Sequence, residues 1–415
     1  MKKCLKLLIC FAVAILCGIT VVSSSVTASA ASENDKWIAA WGTAPTKLDM
    51  TGMSAVGSLV GDVTVRVVIT PTASGERFRV KLSNVYGTEP LKINNITAAR
   101  SKGNSKIDLA SLKYITFNNG SPDVTVEAGK EIYSDPVALQ VNAFEPIAIS
   151  MFINEYQDVT TMGLSGATTY FTTGEATRTE NYDLLLNVFD EKEMLDIVSK
   201  LLVGFGGTGS LDVKLAYSFM KFVPAIASLD VLTDASGYSI VVAGDSTVAD
   251  NFPEYLAKAV CQQNNISNVG VVGKGVVGNR LLTSGLGLGS QIDAASLLVR
   301  LDRDILSESG VEYVIVKIGA NDIIHPVSKD VLAQAPNTSQ PSAESIINGY
   351  RRLFNACHDA GVKVIVASIT QWKGHTRDYF EEGAQYVRTE AEFQADWQIA
   401  KDVNEWLAST DEHDG

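Results

Sequence analysis

The chain has 415 residues, 46% of them apolar, and a formal net charge of −13. Positions 1–30 hold three lysines and no acid, so the remainder carries −13 − 3 = −16. A surface this acidic, with no cluster of Lys or Arg, excludes nucleic acid and anionic bilayers as partners, because the counterion release that drives such binding needs a basic footprint.

Lys2, Lys3 and Lys6 precede an apolar run from Leu7 to Val22, and Ala28-Ser29-Ala30 follows as an A-x-A cleavage site. This is the pattern of an export signal. The run is too short and wrongly flanked for a stable span, so the expectation is a secreted protein, cut near Ala30, with no stable membrane anchor. Cys17 follows the bulky Ile15 and Leu16, which fits poorly with a lipidated cysteine. Beyond the signal only Cys261 and Cys357 remain, each in a helix-like segment, and they read as buried apolar thiols, with a disulfide as the alternative. The stretch from position 31 to 415 is longer than one core usually fills, so two domains are expected.

From Trp37 to about Thr179 short strands alternate with turn signals at steps of roughly ten residues. Val63 to Thr70 and Arg77 to Ser83 show period-two alternation, and Pro71, Ser74 and Gly75 lie between them. The expected element is an antiparallel sandwich or jelly roll over residues 33–182. Residues 183–235 read as a helical connecting segment: Met194, Ile197, Val198, Leu201 and Leu202 recur at helical spacing before Gly204–Gly209 breaks the pattern. Within it, 183–228 reads as inter-domain packing, with a lid over an apolar substrate as the sharper alternative.

From 236 to 415 strand and helix alternate. Strands are expected at Ser239–Ala243, Val269–Val272, Tyr313–Ile318 and Val362–Ile369, and helices near Phe252–Asn264, Ser342–Ala360 and Glu390–Ala408. The strands are continuous apolar runs, as in a parallel sheet covered by helices on both faces. Ligands of such sheets bind at the carboxyl ends of strands. Ser246 follows the first strand, Gly278 the second and Asn321 the third. A hydroxyl, a backbone N–H that can be closely approached and a carboxamide thus share one sheet edge, which suits a serine nucleophile with an oxyanion hole for acyl transfer. The G-x-S-x-G elbow of the α/β-hydrolases is absent.

Gly244-Asp245-Ser246, Gly278-Asn279 and Gly319-x-Asn321-Asp322 resemble blocks I, II and III of the SGNH (GDSL) hydrolases. Val276 to Leu282, Arg300-Leu-Asp-Arg-Asp304 and Gly310 to Asp322 are similar to a subfamily with an N-terminal β-domain. The β-domain's counterparts here are Trp41-Gly-Thr-Ala-Pro45, Leu82-Ser-Asn84, Tyr86-Gly-Thr-Glu-Pro90 and Ser134-Asp-Pro-Val137. The resemblance implies a flavodoxin-like three-layer α/β domain behind the all-β domain. It also implies a serine esterase needing no cofactor and acting on small-molecule or glycan esters. Ser246 would be nucleophile, and the Ser246 N–H, Gly278 N–H and Asn321 amide the oxyanion donors.

The family's last block, Asp-x-x-His, supplies the base and its orienting acid. The only such spacing here is Asp322-Ile-Ile-His325, which runs straight on from block III. Asp411-Glu412-His413 stands nearer the expected place with the wrong spacing, and His375 follows the fourth strand. His325, His375 and His413 are therefore the candidate bases, while His358 sits where a cation suits a helix end. The expectation is that the C-terminal block is missing from this sequence. Three other readings compete. One is a catalytically impaired, secreted glycan-binding protein. A second is a dinucleotide site, since Gly273-Lys274-Gly275-Val-Val-Gly278 satisfies G-x-G-x-x-G with Asp293 about 20 residues on. Metal hydrolysis is the third, and scattered histidines argue against it.

Overall fold

The computed structural model describes residues 35–48, 59–182, 222–249, 251–287, 292–327, 338–370 and 390–415. The expected signal at 1–30, the helical pattern at 194–202 and the proposed lid up to residue 221 lie outside the described residues.

Alternation of apolar and polar side chains produces the first layer. Strands β1 (Lys36–Gly42), β2 (Val63–Ile69), β3 (Arg77–Ser83), β4 (Leu91–Gly103), β5 (Glu131–Tyr133), β6 (Ile147–Ile153), β7 (Thr168–Thr173) and β8 (Ile226–Thr233) build two antiparallel sheets. One runs β1-β8-β3-β5; the other contains β7-β2-β6-β4 with three short strands along β4. The alternating strands β2 and β3 lie in different sheets, so the turn between them changes sheet instead of closing a hairpin. Ile38, Val65, Val67, Phe78, Val80, Leu82, Ile149 and Leu229 meet in one shared core. Burial of such side chains stabilises by about 1.5–3 kcal/mol each.

The polar positions of β2 and β6 are satisfied locally. Arg66 is fully buried, donates to Ser150 Oγ at 2.8 Å and to Thr179 O at 2.8 Å, and lies 3.8 Å from the centre of the Tyr182 ring. This carries residues 177–182 over the outer face beside Ser150, while Ala148 is covered by Ile107 and Leu112, and all of β6 is buried.

The sheet that follows these two is parallel throughout. Strands β9 (Tyr238–Gly244), β10 (Val269–Gly275), β11 (Val311–Lys317) and β12 (Lys363–Val366) stand in the order β10-β9-β11-β12. Its helices are α1 (Ser246–Ala249), α2 (Phe252–Ala257), α3 (Ala320–Ile324), α4 (Ala343–Asp359) and α5 (Glu390–Ser409). In α4, Ser342 caps the start through Ser345 N at 3.2 Å, and Gly361 takes a left-handed φ of +75° just past the end. Between them Ile346, Tyr350, Leu353, Phe354 and Cys357 recur on one helical face and pack in the core with Val314, Val316 and Val364. Cys261 and Cys357 are both buried and unpaired.

One expectation needs correction. Residues 222–233 of the expected helical connection are strands: Phe222–Pro224 and then β8, which lies between β1 and β3. The β-branched and apolar side chains of Ile226–Thr233, buried along most of its length, decide this, and the helical pattern further upstream does not extend into it. Asp35–Gly415 packs as one compact unit. Backbone of β1 lies directly on the parallel sheet: Ala39 N donates to Ser309 O at 2.9 Å, Ser239 Oγ donates to Ala39 O at 3.0 Å, and a Cβ at Gly270 would clash with Ala39 O.

Candidate active site

Strand β9 ends at Gly244, where a Cβ would clash with Lys317 O. The close approach of β11 thus requires glycine at this place. Asp245 then closes the turn. Its carbonyl accepts Val248 N at 3.1 Å and Ala249 N at 3.0 Å, while its Oδ1 accepts Thr247 N at 2.9 Å and Thr247 Oγ1 at 2.7 Å. Ser246 is left as the first residue of α1, exposed at the carboxyl end of the strand.

After β10 the chain turns at Val276-Val277-Gly278-Asn279, closed by Asn279 N donating to Val276 O at 3.1 Å. Gly278 has φ +72°, a left-handed conformation that glycine adopts without steric cost. After β11, Asn321 stands in the first turn of α3, and its Nδ2 donates to Asn279 O at 3.0 Å. A carboxamide carries two hydrogens on that nitrogen, so a second remains for another acceptor. The block II turn and the block III amide are therefore in direct contact.

Arg300 joins this pair to the strand that carries the serine. Its side chain is fully buried, and Nη2 donates to Gly244 O at 3.1 Å and to Asn279 Oδ1 at 2.9 Å. Sequence reading placed Arg300 only inside a family-like stretch. The signal that singles it out is a charged residue among Leu297, Leu301 and Ile305, which are all buried.

Asp322 and His325 do not pair with each other. Asp322 accepts Leu281 N at 2.7 Å and Leu282 N at 2.9 Å, so both its oxygens hold the segment after Gly278. Burial pushes its carboxyl up to about 6, against those two hydrogen bonds. His325 is buried with no hydrogen bond at Nδ1, and burial, aided by the positive Arg280, lowers its ring to about 4. Its neutral ring is a buried part of the loop after β11 and makes no hydrogen bond with Ser246. His413 bonds Leu407 O through Nε2 at 2.8 Å and meets Phe354 edge-on at 5.7 Å. His358 contacts Asp414 Oδ2 at 2.9 Å beside β12. His375 lies outside the described residues. Among the described residues no histidine bonds Ser246, so the structure brings the ends that carry Ser246, Gly278 and Asn321 to one sheet edge without a hydrogen bond from His325 or His413.

The glycine fingerprint serves packing. No helix opens after Gly278, as a dinucleotide site requires, and a Cβ at Gly275 would clash with Ala249 N. Lys274 is buried, 3.0 Å from Glu308 Oε1. Among the described residues no cluster of three His, Cys, Asp or Glu side chains could hold a metal ion.

Ser246 at the end of β9 thus shares the carboxyl edge of the parallel sheet with the Gly278 turn after β10 and the Asn321 carboxamide after β11. Residues 233–412 match the model of the GDSL-like Lipase/Acylhydrolase family. Among solved structures it is similar to the acetyl xylan esterase AlAXEase, at 17% identity over 40% of this chain and 72% of that one, TM-score 0.27. An acetyl-xylooligosaccharide esterase from Geobacillus Stearmophilus is 17% identical over 42% of this chain and 82% of that one, TM-score 0.25. AlinE4, an SGNH-hydrolase family esterase, is 14% identical over 43% and 82%, TM-score 0.25. No curated protein matches the chain.

Proposed function

We propose that the protein is a secreted serine esterase that hydrolyses carboxylic esters, such as O-acetyl groups of glycans or small lipid-like esters. The proposed frame is a flavodoxin-like three-layer domain behind the β-domain. The observation that supports the site most directly is the 3.0 Å contact of Asn321 Nδ2 with Asn279 O, because it sets the carboxamide beside the Gly278 turn. Ser246 Oγ attacks the acyl carbon and loses its proton to a histidine. The carbonyl oxygen becomes an oxyanion held by the Ser246 N–H, the Gly278 N–H and the Asn321 amide. Collapse expels the alcohol, which takes the proton, and water then releases the acid from the acyl-serine. His325 is buried in its loop and His413 is bonded to Leu407 O, so within this sequence the candidate base left to this reading is His375, outside the described residues.

That no described histidine hydrogen-bonds Ser246 favours one second reading, a catalytically impaired glycan-binding protein. The test is turnover of p-nitrophenyl acetate by wild type and by Ser246→Ala. The esterase reading expects a loss of at least about 10³-fold in the variant. Equal rates overturn it, and absent turnover together with retention on insoluble glycan supports the second reading.

A further inference from the structure

We propose that Arg300 is the positioning residue of this site, setting the serine strand end and the oxyanion loop at a fixed separation and tying both to the β-domain. The proposal rests on the esterase reading above.

All five N–H bonds of a guanidinium lie in one plane, and every one is used here. Nε and Nη2 donate to Asn279 Oδ1 at 3.2 and 2.9 Å, Nη2 also to Gly244 O at 3.1 Å, and Nη1 to Lys274 O and Asp304 Oδ2, each at 2.9 Å. Gly244 lies two positions before Ser246. Asn279 directly follows Gly278, and its carbonyl accepts the Asn321 amide. One side chain therefore touches the ends of β9 and β10 and, through one further bond, the loop after β11.

A buried ion pair is seldom more stable than apolar packing of the same volume. What an arginine adds is a rigid fork that fixes several acceptors at once. Asp304 completes the arrangement: burial opposes its charge, yet Arg303 and Arg300 hold its carboxyl at about 2. Arg303 in turn donates to Pro45 O at 3.3 Å and lies 5.6 Å from the Tyr86 ring centre. Tyr86 also accepts Ala295 N at 3.3 Å, and Ala295 O accepts Asn279 Nδ2 at 2.9 Å. The same contact is reinforced by a small sheet in which Thr46–Leu48 pairs with Ile292–Ala294. The Trp41–Pro45 and Tyr86–Pro90 stretches thereby gain a role: they brace the frame that holds Asn279.

The experiment uses the full chain with p-nitrophenyl acetate and three variants, Arg300→Lys, Asn279→Ala and their combination. Arg300→Lys keeps the charge and loses the fork. It is expected to lower kcat by roughly 10²-fold, the scale of an ångström-sized misplacement, with KM within about threefold. Amide exchange should quicken at Gly244–Ala249 and Val276–Leu282 while the strand interiors Val241–Ala243 and Val271–Gly273 stay protected. Because Arg300 and Asn279 share two bonds, the combined variant should lose less than the product of the single losses, the remainder reporting the direct bonds of Arg300 to Gly244 O and Lys274 O. An unchanged kcat in Arg300→Lys, multiplicative losses in the pair, or loss of protection throughout the sheet overturns the proposal. Failure of the esterase reading shows separately, as equal rates for wild type and Ser246→Ala, and the exchange measurement then still decides the role of Arg300.

Discussion

The carboxylate of Asp322 accepts the backbone N–H of Leu281 at 2.7 Å, fastening the loop after β11 to the segment that follows Gly278. The acid one position past the proposed oxyanion amide is thus a clamp. It is buried with its carboxyl raised from 3.8 to about 6.

This raised value has a definite sign. The folded form holds its proton up to about pH 6 and the unfolded form releases it near 3.8, so the fold binds more protons across that window. Stability from this group is present below 3.8 and declines as pH rises to 6, by up to about 3 kcal/mol. Asp322→Asn should remove that decline, read as the wild-type minus variant difference in urea unfolding between pH 4 and 6.

His325 works in the opposite direction. Its ring is held neutral down to about 4, whereas the unfolded chain protonates it near 6.5. Its contribution is present above 6.5 and is lost as pH falls towards 4, by up to about 3 kcal/mol. His325→Leu should flatten this acid loss, and a variant whose midpoint follows the wild type through pH 4–6.5 would refute it.

Asn321→Ala removes the amide but no buried contact of comparable size. On the esterase reading kcat should fall by about 10²–10³-fold. The melting temperature should stay within a few degrees, since the side chain is only partly buried. A loss in kcat no larger than twofold would remove Asn321 from the oxyanion hole.

Glu308 lies between Lys81 Nζ at 2.9 Å and Lys274 Nζ at 3.0 Å, with all three side chains at most 5% exposed. Despite burial, the two lysines keep its carboxyl below the usual range. Glu308→Ala strands two buried cations and should cost about 3–5 kcal/mol. Denaturant midpoints of Glu308→Ala and wild type measure this directly.

Much of the parallel sheet was legible because its strands are unbroken apolar runs ending in polar loops. Tyr238–Gly244, Val269–Gly275, Val311–Lys317 and Lys363–Val366 each fall within a few positions of the expected place. The positions of Ser246, Gly278 and Asn321 just past three strand ends were legible because each follows such a run. What could not be read was long-range satisfaction. Nothing local to Asp322 says that its partners are the N–H groups of Leu281 and Leu282, on the far side of β11, so its spacing from His325 imitates a dyad. Arg300 looks like any charge in the stretch Arg300–Asp304 until burial reveals its five bonds. Strand β8 was missed because its pairing partners, Arg77–Leu82 in β3 and Lys36–Gly42 in β1, are remote in the chain.

That last pairing also bears on the order of events during synthesis. Lys36 faces Thr233 across β1 and β8, with nearly half the chain between the two partners. The sheet made of β1, β8, β3 and β5 has no continuous path from β1 to β3 until β8 has been translated. Tyr238, where the serine-bearing strand begins, follows one turn later. The amino-terminal part of this protein therefore cannot complete itself ahead of the rest. Its closing strand and the strand that leads to Ser246 reach the folding chain almost together.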